Sequence, residues 1–230
     1  WLDAAYDTGE SFAPVTTTDP VGNFASIQAG VNASNPEGTV NVAPGTYPGD
    51  IRISKALTVR STGGAEQTII DGTGSYIVTI SHSDVTFQGF TVTNPEYQGG
   101  ADATGILIQN ATESVNNVQI LNNIVTQVRS ETGTPSGFGA TGVNVGTGPV
   151  SSIVISGNTI TDIKNPVEKT ESSRSDHTCG INVWAGGENI TISNNTISDI
   201  KYNGTIEDLD GVVGKVVEVD RHIRWSAVAE

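Results

Sequence analysis

The chain has 230 residues, with 11 Lys and Arg against 25 Asp and Glu, a formal net charge of −14. That balance argues against nucleic acid and anionic membrane as partners, because either polyanion is repelled at long range. A single cysteine excludes an intrachain disulfide framework and a multi-cysteine metal site. No run approaches ~18 apolar residues, so no membrane span is expected.

Residues 1–22 read as an extended N-terminal segment. Over residues 23–34 the spacing predicts a short capping helix, with Phe24, Ile27 and Val31 on one face at intervals of three and four. Such a helix would plug one end of a column and hide open strand edges.

From 38 to 225 the chain repeats itself. Gly105-Ile-Leu-Ile, Gly142-Val-Asn-Val and Gly180-Ile-Asn-Val each precede a longer pair of alternating runs, 117–128, 152–163 and 189–200. Fainter copies lie at 76–92 and in Thr39-Val-Asn-Val, Ala56-Leu-Thr-Val-Arg and Thr68-Ile-Ile-Asp-Gly. Alternation over four or five residues is strand period. Three such strands cannot bury their apolar face alone, and stacking successive copies does. The expected fold is all-β: one right-handed parallel β-helix domain of about six coils, spanning 1–230. Gly89, Asn123, Asn158 and Asn195 are expected at the tight bends, where positive φ is needed, with the asparagine amides hydrogen-bonding up the column.

The string Phe24-Ala-Ser-Ile-Gln-Ala-Gly-Val-Asn resembles the opening of parallel β-helix proteins of the pectin-lyase-like superfamily. So do Gly38-Thr-Val-Asn-Val-Ala-Pro-Gly-Thr-Tyr, Ile51-Arg-Ile-Ser-Lys-Ala-Leu-Thr-Val-Arg and Thr68-Ile-Ile-Asp-Gly. The resemblance implies this fold over roughly 20 to 210, on a scaffold that hosts lyases, hydrolases, esterases and inert surface modules. Pectin methylesterases share the opening, but Thr79–Asp84 and Thr104–Gln109 do not reproduce their catalytic motifs.

Function is sought in the longest insertions, because loops on a rigid scaffold carry chemistry. Residues 129–140 and 164–177 leave equivalent corners of adjacent coils and are expected to wall a groove, joined by 94–102. Glu171, Arg174, Asp176 and His177 could supply a base, an acid and a charge stabiliser. Glu96, Tyr97, Asp102, Phe138, Trp184 and Tyr202 are candidates for holding sugar, with packing the stronger expectation for Trp184. Asp162 and Asp199 stack at one position of neighbouring coils, as a hydrated pair or bridged by Ca²⁺. Cys179 reads as a small buried residue.

The expectation is a secreted or cell-surface protein that binds, and in a lyase- or glycosidase-like way could cleave, a polysaccharide. The sequence starts at Trp1 without a basic-then-apolar leader, so the expectation is that any signal peptide has been removed or was not included. The alternative is a non-catalytic structural or adhesive module. A periplasmic accessory role ranks third, since no thiol or Met cluster offers a copper site. No capping helix is legible after residue 225, which leaves end-to-end self-association open.

Overall fold

The computed structural model describes residues 14–97, 102–130, 139–146, 148–165, 178–183, 187–202 and 218–219. Three sheets run the length of a column, and the strands from Thr39 onward pair with one another in parallel throughout. The first sheet stacks Thr39–Val42, Leu57–Ser61, Val85–Gln88, Val115–Leu121, Val150–Ser156, Gly187–Ser193 and Glu218–Val219. The second stacks Gly45–Pro48, Thr68–Asp71, Thr91–Thr93, Ile124–Arg129 and Thr159–Asn165, followed by Thr196–Ile197 and Ile200–Tyr202. Ile51–Ile53, Tyr76–Ile80, Ala103–Ile108, Ala140–Val145 and Cys179–Val183 form the third. The chain visits the sheets in that order and then climbs one rung, which makes the molecule a parallel β-helix.

Register turns the alternation into a core. Val40, Val59, Phe87, Ile120, Ile155 and Ile192 stand in one inward column of the first sheet. Tyr47, Ile70, Val92, Val125, Ile160 and Ile197 face them from the second. All but Ile197 are buried. Partners across the first sheet are Thr39–Thr58, Thr58–Thr86, Val85–Val118, Val118–Ile153 and Ile153–Ile190. The coil therefore lengthens through 19, 28, 33, 35 and 37 residues, the differences between those partner numbers. Thr39–Val42 thus stands a full rung below Leu57–Ser61, rather than in one repeat with it. Ile51–Ile53 is the strand that completes the lowest coil.

The bends between the first and second sheets correct the sequence reading by one residue. Left-handed backbone falls on Gly89, Asn122, Gly157 and Asn194, with φ of 78, 53, 70 and 55°. The following residues, Phe90, Asn123, Asn158 and Asn195, turn inward. Asn123 Oδ1 accepts from the Phe90 N–H at 3.0 Å, Asn158 Oδ1 from the Asn123 N–H at 2.9 Å, and Asn195 Oδ1 from the Asn158 N–H at 2.9 Å. Each Asn Nδ2 donates to a carbonyl one rung below: Phe87, Ile120 and Ile155. The amides form a buried ladder that ends on Phe90, whose ring stacks on Phe87 at 4.7 Å.

The cap helix is Ile27–Ala33, not 23–34. Ser26 stays extended and its hydroxyl accepts from the Ala29 N–H, which sets the N-terminus. Val21–Phe24 is instead a strand, paired antiparallel with Val15–Thr18, which pairs antiparallel with Thr39–Val42 and covers its edge. The helix serves the third sheet's lowest strand through one side chain. Gln28 Oε1 accepts from the Arg52 N–H at 2.7 Å while its Nε2 donates to the Arg52 carbonyl at 3.1 Å, as a neighbouring strand would.

Candidate functional site

Bends from the first to the second sheet stay short in the upper coils, at 89–90, 122–123, 157–158 and 194–195. The connections from the second to the third grow instead: 49–50, 72–75, 94–102, 130–139 and 166–178. Strand register brings the ends of these connections to one corner, because Arg129 pairs with Lys164, Ala103 with Ala140 and Thr141 with Cys179. The insertions therefore leave and rejoin stacked rungs, as the repeat spacing predicts.

At this corner the turn Asn94–Tyr97 and Asp102 hold both ends of the next connection. Buried Asn94 accepts the Arg129 N–H through Oδ1 at 3.0 Å, and Asp102 accepts the Gly139 N–H at 2.8 Å. Glu96 and Asp102 are exposed. Tyr97 is placed differently from the expectation of a sugar platform. Its ring is buried in the core cluster, with the hydroxyl 2.7 Å from Ser75 Oγ, so neither ring face reaches solvent. Among the described residues of this corner, Tyr76 is the exposed aromatic, 40% exposed at the start of the third sheet. Tyr76 pairs with Thr104, which pairs with Thr141, yet both threonines are buried, so the column does not by itself mark an exposed face and no sequence signal gave the exposure of Tyr76.

Glu171, Arg174, Asp176, His177, Phe138 and Trp184 lie outside the described residues. Tyr202 ends a strand paired through Asn165, and its side chain also lies outside them. Cys179 sits beside Thr141, whose hydroxyl is 3.7 Å from the sulfur, and burial pushes its thiol pKa up, which disfavours the thiolate.

Asp162 and Asp199 do stack, each in left-handed backbone with φ of 54 and 50°, above Gln127 at 52° in the same bulge. Cations interleave them. Arg129 reaches Asp162 at 3.0 Å, Lys164 contacts Asp162 and lies 3.8 Å from Asp199, and Lys201 reaches Asp199 at 3.0 Å. For a Ca²⁺ ion to use these oxygens, the ammonium and guanidinium groups must first give way. Among the described residues no group of three or more His, Cys, Asp or Glu is placed to hold a metal.

The ladder has an acid-side signature. The Lys201 hydrogen bond, helped by the charges of Lys164 and Arg129 and opposed by partial desolvation, holds the Asp199 carboxyl below its ordinary range. A depressed folded pKa stabilises above the unfolded value, near 3.9, and that contribution disappears as pH falls through the folded value. Asp199→Asn should therefore lower the melting temperature by about 1–2 °C at pH 7, a small effect because the pair is solvated. The difference from wild type should close below about pH 4 in a melting series.

Three buried polar atoms collect at the same corner without a partner among the described residues: Asn94 Nδ2, Ser130 Oγ and Thr178 Oγ1. Asn94 and Ser130 are 0% and 1% exposed. Buried polar side chains elsewhere, such as Asn123, Asn158 and Ser34, are hydrogen-bonded. An unpaired buried group costs about 1–3 kcal/mol, so these three atoms leave hydrogen-bonding capacity unmet at one corner.

No protein-family model matches the chain, and no curated protein matches it. Among solved structures it is similar to the pectin methylesterase from Aspergillus niger, at 15% identity and a TM-score of 0.37, over 91% of this chain and 89% of that one. It is similar to Escherichia coli YbhC at 13% identity and a TM-score of 0.38, over 80% of this chain and 72% of that one. At such identities the likeness transfers no residue roles.

Proposed function

We propose that the protein binds a polysaccharide along the corner where the second sheet passes the chain to the third, in a secreted or cell-surface setting. The observation that carries this reading is the concentration of unpaired buried polar atoms from Asn94, Ser130 and Thr178 at the ends of the longest connections. Exposed Tyr76 opens the third-sheet face of that corner, and Glu96 and Asp102 lie in the first long insertion. A sugar offers hydroxyls to such polar groups and a C–H face to an aromatic ring. Water bridges serve the remaining hydroxyls at little loss.

Cleavage, on this reading, belongs to the segment 166–177, whose Glu171, Arg174, Asp176 and His177 would supply the acid, base and charge stabiliser. The non-catalytic surface module is favoured by a separate observation: the charged groups seen together, Arg129, Asp162, Lys164, Asp199 and Lys201, neutralise one another.

Affinity electrophoresis through gels containing a panel of neutral and charged polysaccharides tests the binding. At least one polymer should retard the wild type, and Tyr76→Ala should weaken that retardation about tenfold through lost stacking. Unchanged mobility in every gel would end the proposal. If unsaturated or reducing-end products appear, Arg174→Ala and His177→Ala should abolish them; wild-type rates in both would remove those residues from the chemistry.

A further inference from the structure

Resting on the reading of this corner as a glycan face, we infer that its ligand carries free amines: a polymer of amino sugars, cationic near neutral pH, and not a uronate polymer. The inference starts from which charges are already answered. Arg129, Lys164 and Lys201 stack at one rung position, yet Asp162 and Asp199 sit among them at hydrogen-bonding and ion-pair distance. Those cations are committed to their own carboxylates and offer little to an anionic chain.

The carboxylates of the corner are not answered in the same way. Glu96 and Asp102 are exposed, and among the described residues neither forms an ion pair and the one hydrogen bond to either is from the Gly139 N–H to Asp102. Across the three insertions the sequence places Glu96, Asp102, Glu131, Glu168, Glu171 and Asp176 against Lys169 and Arg174, so 2 − 6 gives −4. Insertions of that sign in a chain of net charge −14 disfavour polyanions and favour cations at long range.

Two further observations point to a ligand at this place. Tyr76 presents an exposed ring one residue after Ser75, whose hydroxyl meets Tyr97 of the same turn as Glu96, and whose carbonyl accepts the Thr104 N–H two residues past Asp102. The ring and both carboxylates are thus tied to one stretch of two adjacent rungs. An aromatic face on the same two rungs as carboxylates that have no counter-cation among the described residues suits an ammonium, through cation–π attraction and charge-assisted hydrogen bonds. Asn94 Nδ2, fully buried and unpaired at the head of the Glu96 turn, supplies a donor for a sugar oxygen.

Titration calorimetry of the full chain with three hexasaccharides at pH 6 distinguishes the possibilities: a glucosamine hexamer, its fully N-acetylated counterpart and a galacturonate hexamer. The glucosamine hexamer should bind at least about fivefold more tightly than the N-acetylated one at low salt, and lose about tenfold in 0.3 M NaCl. The double substitution Glu96→Gln, Asp102→Asn should remove that preference and the salt dependence. Asparagine at 102 keeps an oxygen for the Gly139 N–H, and a melting curve within about 2 °C of wild type confirms the fold. Equal or tighter binding of the N-acetylated or galacturonate hexamer would overturn the amine assignment and leave the glycan face standing. Failure of all three to bind, with no retardation in the polysaccharide gels, would overturn both.

Discussion

Replacing Asn158 by alanine should cost about 3–5 kcal/mol and lower the melting temperature by roughly 10 °C. Asn158 is 1% exposed and belongs to both neighbouring rungs. Its Oδ1 accepts from the Asn123 N–H at 2.9 Å and from Asn123 Nδ2 at 3.1 Å, while its Nδ2 donates to the Ile120 carbonyl and to Asn195 Oδ1, each at 2.9 Å. Alanine strands the buried Asn123 N–H and removes the donor from two acceptors. Asn158→Asp sharpens the test. The carboxylate keeps the acceptor for Asn123 but loses both donors and buries a charge, so it should be worse than alanine at pH 7. Burial raises the pKa of such a carboxyl, so the neutral form is the one the fold tolerates, and stability should recover as pH falls toward 4. Melting curves of both variants from pH 4 to 8 check the magnitude and the recovery at low pH, which is expected of the aspartate variant and not of the alanine one.

Gly142→Ala is the second large effect, about 3 kcal/mol or more. Nothing in the backbone angle of Gly142 demands glycine. The reason is space: an added Cβ would lie 2.5 Å from the Gly180 carbonyl oxygen and 2.5 Å from Ile160 Cγ2. The same crowding holds at Gly105, against Val125 and the Gly142 oxygen. These stacked glycines let the third sheet close against the second, so a methyl there separates two rungs and strains main chain, which cannot rotate away. Gly49 is the useful contrast, because an added Cβ there meets nothing within 4 Å and only its φ of 98° is unfavourable. Chemical denaturation of Gly142→Ala and Gly49→Ala should therefore show the larger loss at Gly142, despite its ordinary backbone.

Much of this architecture was legible because the physics that builds it is periodic. Alternating Ile and Val, the glycines at 105, 142 and 180 and the second asparagines at 123, 158 and 195 each mark a column of side chains repeated rung after rung. What failed was assignment within an Asn-Asn pair. Either residue of Asn122-Asn123 or Asn194-Asn195 suits a left-handed bend, and either suits a ladder. The glycines at 89 and 157 carry the missing information, since glycine can take the bend and has no amide for the ladder. Aligning Gly89 with Gly157 puts Phe90 at the foot of the amide column, where the structure has it. The cap was misjudged for a related reason: Phe24 fits a helical spacing with Ile27 and Val31, but Ser26 ends the helix before it and Val21–Phe24 pairs as a strand.

The candidate site was legible in position and only partly in composition. Increasing connection length located the corner correctly, since it depends on strand order alone. Burial does not follow from composition in a turn, so Tyr97 and Tyr76 could exchange roles unnoticed: the one anchored inward through Ser75, the other left on the face. The Arg129–Asp162 and Lys164–Asp199 pairs were hidden for a different reason, because they join coils more than thirty residues apart; Lys164–Asp162 and Lys201–Asp199 are only two residues apart.

The most direct test of the corner as a ligand face is a ¹H–¹⁵N correlation spectrum of the labelled protein, titrated with an oligosaccharide prepared from whichever polymer retards it. The account predicts amide shifts concentrated at Tyr76, Glu96, Asp102, Ser130 and Gly139, with the outward residues of the first sheet, such as Thr86, Gln119 and Val154, unmoved. Shifts centred on that first sheet, with the corner silent, would contradict it.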